Sequence, residues 1–366
     1  MLDITDPLPS QDSFAGVVIA IISLSGEMSI DQTKRLTDSA SYQERAVKRM
    51  RADRLIRTYY KDGLRGLRLT AAAKRSLLQT QPTVYAPFLC GSNTINAPKY
   101  DKINRTRLQC MSEVLVTMHN ADVIYYPSEK PAIFQMPRNP LDIHFDFPTY
   151  YTALEIKAIG PERKKISGSR ATGALLTEDA IYAIYNAASM DLKWKHESEW
   201  DFARFLETEL RGTRLYKQYW GKKERAIAFA SDMDRLSVIM GHSTTKDNNY
   251  FLLDNSFEHF HFLTSDARGE RILTYIYDSN KRNQMNAILS SGLLPRQLNS
   301  RIPNDGFDPD GTPVLFAYTC DVPSIYNFST ALDINNSDGI LLCFKFQAEA
   351  IRSICGSRVK IREVMI

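Results

Sequence analysis

The residues of this chain whose types and spacing could do chemistry are Glu155-Ile156-Lys157. They lie in the run Tyr150–Ile159, which is mostly aromatic, β-branched and aliphatic. Pro148 and Gly160 bound this run, so it predicts a buried strand. Residues two apart on a strand project to one face. A buried charge must be paired or bind a metal, so these two charges need a partner. An acidic residue, a spacer and a lysine on one strand match the core of a nuclease pattern, in which the carboxylate holds a divalent cation and the lysine orients the attacking water.

Two upstream carboxylates extend this predicted site. Asn104–Asn120 predicts a helix that carries Glu113, and Ala121–Tyr126 predicts a strand that carries Asp122. Asp142 is the alternative strand carboxylate, although it lies among polar and proline residues. A helix Glu, a strand Asp and then Glu-x-Lys on the next strand is the order that nucleases of this type use. The predicted catalytic residues are therefore Glu113, Asp122, Glu155 and Lys157, with Asp122 and Glu155 as the ligands of Mg²⁺.

Each of these residues also has a structural interpretation. Glu-x-Lys is a short pattern, and 162–164 repeats it in a polar segment where charges need no compensation. Glu155 and Lys157 could pair with each other in a polar layer of the core. Glu113 lies beside the apolar stripe of its helix and could be a surface residue.

The order of elements in residues 12–80 is that of a winged helix-turn-helix. Three helices are predicted, at Phe14–Leu24, 30–37 and Tyr42–Arg51. Ser41, with Glu44 three residues later, is the predicted cap of the third helix. Asp62-Gly63 then indicates a β-hairpin, and Thr70 begins a last helix. In a winged helix of this kind the third helix enters the DNA major groove.

The charge of this region indicates a polyanion partner. The chain as a whole carries +4, but residues 34–75 contain thirteen Lys or Arg against four Asp or Glu. A solvated basic face in a protein–protein module is the alternative. The basic loop 164–170 could likewise hold a phosphate or be a mobile turn. The predicted contacts to double-stranded DNA are Arg45, Lys48, Arg49 and Arg51 of the third helix, Arg65 and Arg68 of the hairpin, and Arg170 of the loop.

The rest of the chain predicts an α/β (α+β) body. Strands and helices alternate through it, which indicates a mixed sheet and, with the site above, a nuclease-like fold. The predicted domains are a winged helix at 12–80, a nuclease-like α/β domain at 100–215 and a C-terminal α/β region at 222–366. This last region could be continuous with the domain before it.

Two further patterns in the C-terminal region could bind metals. His259 and His261 share one face of a predicted strand, but no third ligand is evident, so packed or exposed histidines are favoured. Residues 305–311 resemble a calcium loop, but the glycines miss the EF-hand register and no Glu closes the loop, so a turn is predicted.

The winged-helix end Leu67–Leu78, the helix headed by Arg105, Asp122 and the Glu155 strand together resemble the replication-relaxation family of plasmids and integrative mobile elements. The likeness covers about residues 12–190, and Ala73 stands where the family usually has Gly. The resemblance implies a mobile-element protein that acts on DNA in plasmid replication, relaxation or transfer. Two hypotheses follow: a Mg²⁺-dependent nuclease or nickase, and a non-catalytic replication accessory or regulator with a degenerate nuclease fold.

Composition favours a cytoplasmic protein that does not enter a membrane. The longest apolar run, Val17–Leu24, has eight residues, against about 20 in a membrane span. Residues 1–13 contain three Asp and no Lys or Arg, which is unlike a secretory signal. Five cysteines without a Cys-x-x-Cys indicate neither a disulfide framework nor a structural zinc site. A homodimer and contacts with other replication or transfer proteins are compatible with the predicted function.

Overall fold

The structure is a computed structural model, and it describes residues 8–90, 100–131, 133–134, 146–157, 168–188, 196–211, 219, 224–241, 257–297 and 300–365. The fold is mixed α/β and divides into two units, Met1–Arg163 and Lys164–Ile366. This boundary lies inside the range predicted for the nuclease-like domain. Among the described residues, none of the helices combines the length with the hydropathy that a bilayer crossing requires.

The first unit begins with helices that surround a small sheet. Its elements are α1 (Phe14–Ser25), β1 (Met28–Ser29), α2 (Ile30–Thr33) with a 3₁₀ turn (Lys34–Leu36), α3 (Ala40–Ala52), β2 (Ile56–Lys61), β3 (Leu64–Leu69), α4 (Ala71–Thr80), α5 (Pro82–Leu89), α6 (Lys102–Asn120), β4 (Thr149–Thr152) and α7 (Ala153–Lys157). The sheet has the order β1-β3-β2, and both pairs are antiparallel. Helix α1 is buried on almost every side, as its apolar sequence requires.

Local signals position the helices and the hairpin of this unit. Gly26 ends α1 with a φ of 85°. Asp62 and Gly63 both have positive φ and form a two-residue turn between β2 and β3, so the predicted hairpin is confirmed. The predicted cap of the third helix is wrong by two residues, because Ser39 rather than Ser41 accepts the hydrogen bond from the backbone N–H of Tyr42.

The strand predicted at Ala121–Tyr126 is wrong. Helix α6 ends there in a Schellman-type turn, in which the N–H of Val123 donates to Met118 O at 2.9 Å and Asp122 has a φ of 54°. Ile124 forms an isolated parallel bridge with Thr149. Asp122 is therefore a helix-end residue in the left-handed conformation and not a strand carboxylate.

The single strand predicted at Tyr150–Ile159 is also wrong within the described residues. Strand β4 ends at Thr152, and α7 begins at Ala153. Thr152 and Glu155 form a capping box: the N–H of Thr152 donates to Glu155 Oε2 at 2.8 Å, and the N–H of Glu155 donates to Thr152 Oγ1 at 3.3 Å. This exchange turns the chain into a helix despite its strand-like composition.

The second unit contains two mixed sheets. Its elements are β5 (Gly173–Leu176), β6 (Ile181–Ala188), α8 (His196–Arg211), β7 (Glu224–Ala230), α9 (Arg235–Gly241), β8 (Phe257–Thr264), α10 (Ala267–Tyr277), α11 (Ser279–Leu289), β9 (Leu294–Pro295), β10 (Gly306–Phe307), β11 (Pro313–Phe316), α12 (Val322–Asn335), β12 (Gly339–Phe344), α13 (Ala348–Arg352) and β13 (Val359–Val364). Strands β5-β6-β7-β8 are neighbours in one sheet, with β5 antiparallel to β6 and the rest parallel. The other sheet has the order β13-β12-β11-β10-β9.

Strand β8 connects the first of these sheets to α12. The segment 319–321 runs antiparallel to β8, and Asp321 forms an isolated β-bridge with His261. The N–H of Phe262 donates to Cys320 O at 3.0 Å. Helix α12 begins directly after Asp321. Asp278 separates α10 from α11, and its side chain caps α11.

Candidate functional sites

Helix α3 presents its predicted DNA contacts on an exposed face. Gln43, Val47 and Met50 are buried at helical spacing, while Arg45, Lys48 and Arg49 are exposed. Tyr42 lies beside them and is 45% exposed. Arg51 is half-buried. The helix therefore carries a cationic outer face opposite an apolar inner one.

The hairpin carries a second group of exposed cations. Arg65 is exposed as predicted, and so are Arg57 and Lys61, which the predicted set lacks. Tyr60, the cross-strand partner of Arg65, is 71% exposed. We call the exposed cations and tyrosines of both elements the basic surface: Tyr42, Arg45, Lys48 and Arg49 of α3, and Arg57, Tyr60, Lys61 and Arg65 of the hairpin.

Arg68 corrects the prediction for the hairpin, because it faces inward. It is 6% exposed, and its Nη2 lies 2.6 Å from Glu27 Oε2. The same carboxylate accepts hydrogen bonds from Arg105 Nη2 at 2.7 Å and from Gln109 Nε2 at 2.8 Å. Burial would raise the pKa of Glu27, but the hydrogen bonds from Arg105, Gln109 and Arg68 outweigh burial and hold it below its ordinary value. Arg68 thus has a structural partner and is removed from the DNA-contacting set.

Arg105 also attaches α6 to the hairpin. Its guanidinium donates to the carbonyl oxygens of Lys61 at 2.8 Å, Leu64 at 3.0 Å and Tyr59 at 3.3 Å. The Tyr59 ring lies between two cations, 4.1 Å from the guanidinium carbon of Arg68 and 4.7 Å from that of Arg105. These bonds fix the turn end of the hairpin relative to the helix.

Gly66 makes the close approach of β3 to Glu27 possible. A Cβ atom at this position would lie 2.2 Å from Glu27 Oε1, well inside van der Waals contact. Because glycine lacks that atom, the strand can pass beside the buried carboxylate.

The structure does not bring Glu113 and Asp122 into the roles predicted for them. Glu113 accepts a hydrogen bond from Gln32 Nε2 at 3.0 Å and so connects α6 to α2. Asp122 is exposed in the turn after α6. Asp142 and the side chain of Lys157 lie outside the described residues.

Glu155 pairs with Lys130, which the predicted site lacks. Lys130 Nζ lies 2.9 Å from Glu155 Oε1, and the two side chains are 2% and 11% exposed. Lys130 Nζ also donates to Tyr150 O at 2.7 Å, and Thr152 Oγ1 donates to Glu155 Oε2 at 2.9 Å. A Mg²⁺ ion needs carboxylate oxygens in a near-octahedral shell. Glu155, with an ammonium and two Thr152 donors already on its oxygens, does not fit such a site.

Arg170 lies in the second unit in a segment fixed to α8. The side chain is half-buried, and its backbone N–H donates to Glu199 Oε1 at 2.7 Å. Ser169 Oγ and Tyr185 OH donate to the other oxygen of Glu199, at 2.7 and 3.0 Å. The described end of the loop is therefore anchored by a buried carboxylate.

The second unit brings together a cluster that the sequence showed only in part. His259 and His261 lie on β8, and Asp321 supplies the third donor that no local pattern indicates. His259 Nδ1 is 2.7 Å from Asp321 Oδ2, and ligand atoms of the three residues all lie within 4.8 Å of one another. His261 and Asp321 are each 7% exposed.

Neighbouring groups set the orientation and the charge of this cluster. His261 Nδ1 donates to Thr319 O at 3.1 Å, and the N–H of Phe260 donates to Asp321 Oδ1 at 3.0 Å. Burial lowers the pKa of His261 below its ordinary value. Burial would raise the pKa of Asp321, but the hydrogen bond from His259 and the nearby His261 outweigh burial and lower it.

The cluster opens into a cleft of about 350 Å³. Across β6, β7 and β8, Tyr182, Arg225 and His259 are register neighbours and form one row of its wall. Arg225 pairs with Glu258 at 3.0 Å. The other polar lining side chains are Asp179, Arg282, Asn286, Asp305, Tyr318 and Thr319.

Comparison of the chain with models of protein families, with curated proteins and with solved structures finds no match.

Proposed function

We propose that this protein binds double-stranded DNA through its N-terminal unit. The observation that carries the proposal is the face of α3 on which Arg45, Lys48 and Arg49 are exposed, while Val47 and Met50 bury the opposite face. Clustered guanidinium and ammonium groups release counterions when they neutralise DNA phosphates, which drives binding. A helix of this kind fits the major groove.

The hairpin supports the same function. Helices α1 to α3 followed by β2 and β3 have the order of a winged helix-turn-helix, in which α3 is the recognition helix and the hairpin is the wing. Exposed Arg57, Lys61 and Arg65 would contact backbone phosphates, which position a protein on the duplex without reading its sequence. Exposed Tyr60 adds a hydroxyl at the same edge.

The role we propose on DNA is that of a non-catalytic accessory or regulator of a mobile element. The residues that resemble the replication-relaxation family support the mobile-element context. Between an accessory protein and a nuclease, the engagement of Glu155 by Lys130 and Thr152 favours the accessory protein. A homodimer and contacts with other replication or transfer proteins fit this role.

Fluorescence anisotropy with a labelled duplex tests the proposal. The double variant Lys48→Ala/Arg49→Ala of the full chain should bind more weakly, and its slope of log affinity against log salt should fall by about 0.9 per lost phosphate contact. Arg352→Ala/Lys360→Ala removes the same charge from exposed positions of the second unit and serves as the matched control. Equal affinities and slopes in the two double variants would overturn the assignment of α3.

A further inference from the structure

We propose that His259, His261 and Asp321 form a binding site for one divalent transition-metal ion of the zinc class, with an open coordination position that faces the cleft. The inference is independent of DNA binding, because these residues belong to the second unit and the basic surface belongs to the first.

The distances permit such a site. Donor atoms around a four-coordinate zinc ion are about 3.4 Å apart, because Zn–N and Zn–O bonds are about 2.0–2.2 Å long. The three donors here already lie within 4.8 Å of one another. Movements of about 1 Å, well within what side-chain rotation supplies, would bring them onto one ion.

The type of the donors selects the class of metal. Two imidazoles and one carboxylate suit zinc and its neighbours in the first transition row, whereas Mg²⁺ and Ca²⁺ prefer shells made of oxygen. A buried carboxylate also needs compensating charge. Asp321 is 7% exposed, and a bound cation would supply that charge directly.

Hydrogen bonds already orient the donors as they do in metal sites. His261 uses Nδ1 to donate to Thr319 O, so its Nε2 is the ligand atom. Asp321 Oδ1 accepts from the N–H of Phe260, while Oδ2 accepts from Ser324 Oγ and lies 2.7 Å from His259 Nδ1. A metal ion would therefore replace the hydrogen bond between His259 and Asp321, whereas the bonds from Phe260 and Ser324 would remain to orient the carboxylate. The backbone bridge between His261 and Asp321 holds the two ligand-bearing segments together. Second-shell bonds of this kind fix ring orientation and tautomer.

The surroundings indicate an open site. Three protein ligands leave a fourth position for water or a substrate, whereas structural zinc sites have four protein ligands. The cleft beside the cluster holds about 350 Å³ and is lined by Arg225, Arg282, Tyr182 and Tyr318. Arg225 and Arg282 line this cleft together with Asp179 and Asp305, and Arg282 lies 3.8 Å from Asp179.

Isothermal titration calorimetry with ZnCl₂ tests the site on the full-length chain without a polyhistidine tag, after removal of metal with a chelator. We expect one Zn²⁺ per chain. Asp321→Asn keeps the Oδ1 acceptor for Phe260 but removes the charge, and it should weaken binding at least tenfold. His261→Gln should do the same, and His196→Gln is the control because that histidine lies on α8.

Visible absorption after titration with Co²⁺ gives a second readout that is independent of activity. The wild-type chain and His196→Gln should show the same Co²⁺ ligand-field bands, and Asp321→Asn and His261→Gln should lose them. Circular dichroism establishes whether each variant is folded. If one of the two ligand variants does not fold, the other one still tests the site. No Zn²⁺ uptake by the wild-type chain, or equal uptake by the ligand variants and the control, would overturn the site.

Discussion

The guanidinium of Arg105 lies 2.7 Å from Glu27 Oε1, and neither side chain is exposed to solvent. The contact joins residues 78 positions apart and connects α6 to the turn that follows α1. Helix α6 was predicted as the first element of the nuclease-like domain at 100–215. It packs instead against α1 and β1 and belongs to the unit that carries the basic surface.

Removal of the Glu27 charge should destabilise the protein strongly. Glu27→Gln leaves two buried guanidinium groups without a counter-charge, and breaking a buried ion pair in this way costs about 3–5 kcal/mol of the free energy of unfolding. Thermal unfolding measures the loss. Glu349→Gln is the matched control, since its ion pair with Arg352 has the same 2.7 Å distance but is exposed. Equal melting temperatures in the two variants would contradict the structural role of Glu27.

The stability that Glu27 contributes should disappear in acid. Its pKa is held below the ordinary value in the folded protein, so the contribution is present above the unfolded pKa of about 4.3 and is lost as pH falls through the folded value. We expect the difference in melting temperature between the wild type and Glu27→Gln to be largest near neutral pH and to shrink below about pH 4. A difference that stays constant between neutral and acidic pH would show that the Glu27 charge is not the cause.

Two arginines on β3 should separate DNA binding from folding. Arg65→Ala removes an exposed cation, so it should weaken DNA binding and reduce its salt dependence at an unchanged melting temperature. Arg68→Ala breaks the buried pair with Glu27, so it should lower the melting temperature. Anisotropy and thermal unfolding on both variants check this, and the opposite assignment of effects would mean that Arg68 faces DNA.

Lys130 should be a structural residue rather than a catalytic one. Lys130→Met leaves the Glu155 carboxylate, which is 11% exposed, without its counter-charge. We expect the free energy of unfolding to fall by about 3–5 kcal/mol. Lys281→Met, which removes an exposed lysine 3.8 Å from Asp278, should change stability by less than about 1 kcal/mol. A Lys130 variant that melts like the control would leave the capping box of Thr152 as the main partner of Glu155.

Supercoiled plasmid should remain supercoiled when incubated with the purified protein and Mg²⁺ or Mn²⁺. The reason is that Glu155, the central carboxylate of the nuclease hypothesis, is engaged by Lys130 and by Thr152. Gel electrophoresis of the plasmid is the measurement. Nicking that requires Mg²⁺ and is abolished in Glu155→Gln would restore the nuclease hypothesis.

Signals contained within a few residues were sufficient to predict much of the fold. The Asp62-Gly63 turn and the Thr70 cap are local, and both lie where the sequence predicted them. Between Tyr150 and Lys157 two local signals conflict. A strand-like composition indicated one element, while Thr152 and Glu155, in the spacing of a capping box, specified another.

The candidate sites were harder to predict, because their members meet only through tertiary packing. His259 and Asp321 are 62 positions apart, and Lys130 and Glu155 are 25 apart. In the sequence, His259 and Glu155 were candidate site residues, but no nearby pattern indicated their partners Asp321 and Lys130. Charge on α3 could be predicted because helical spacing alone decides which side chains share a face.

The three hydrogen bonds from Arg105 to carbonyl oxygens of the hairpin couple the hairpin rigidly to α6. The helix has 19 residues and is therefore about 28 Å long, with Arg105 one turn from its first residue. Because of these bonds, a rotation of α6 against α1 would also move the turn end of the hairpin. A partner that engaged the far end of α6, near Asn120, would thereby be able to shift the hairpin residues of the basic surface.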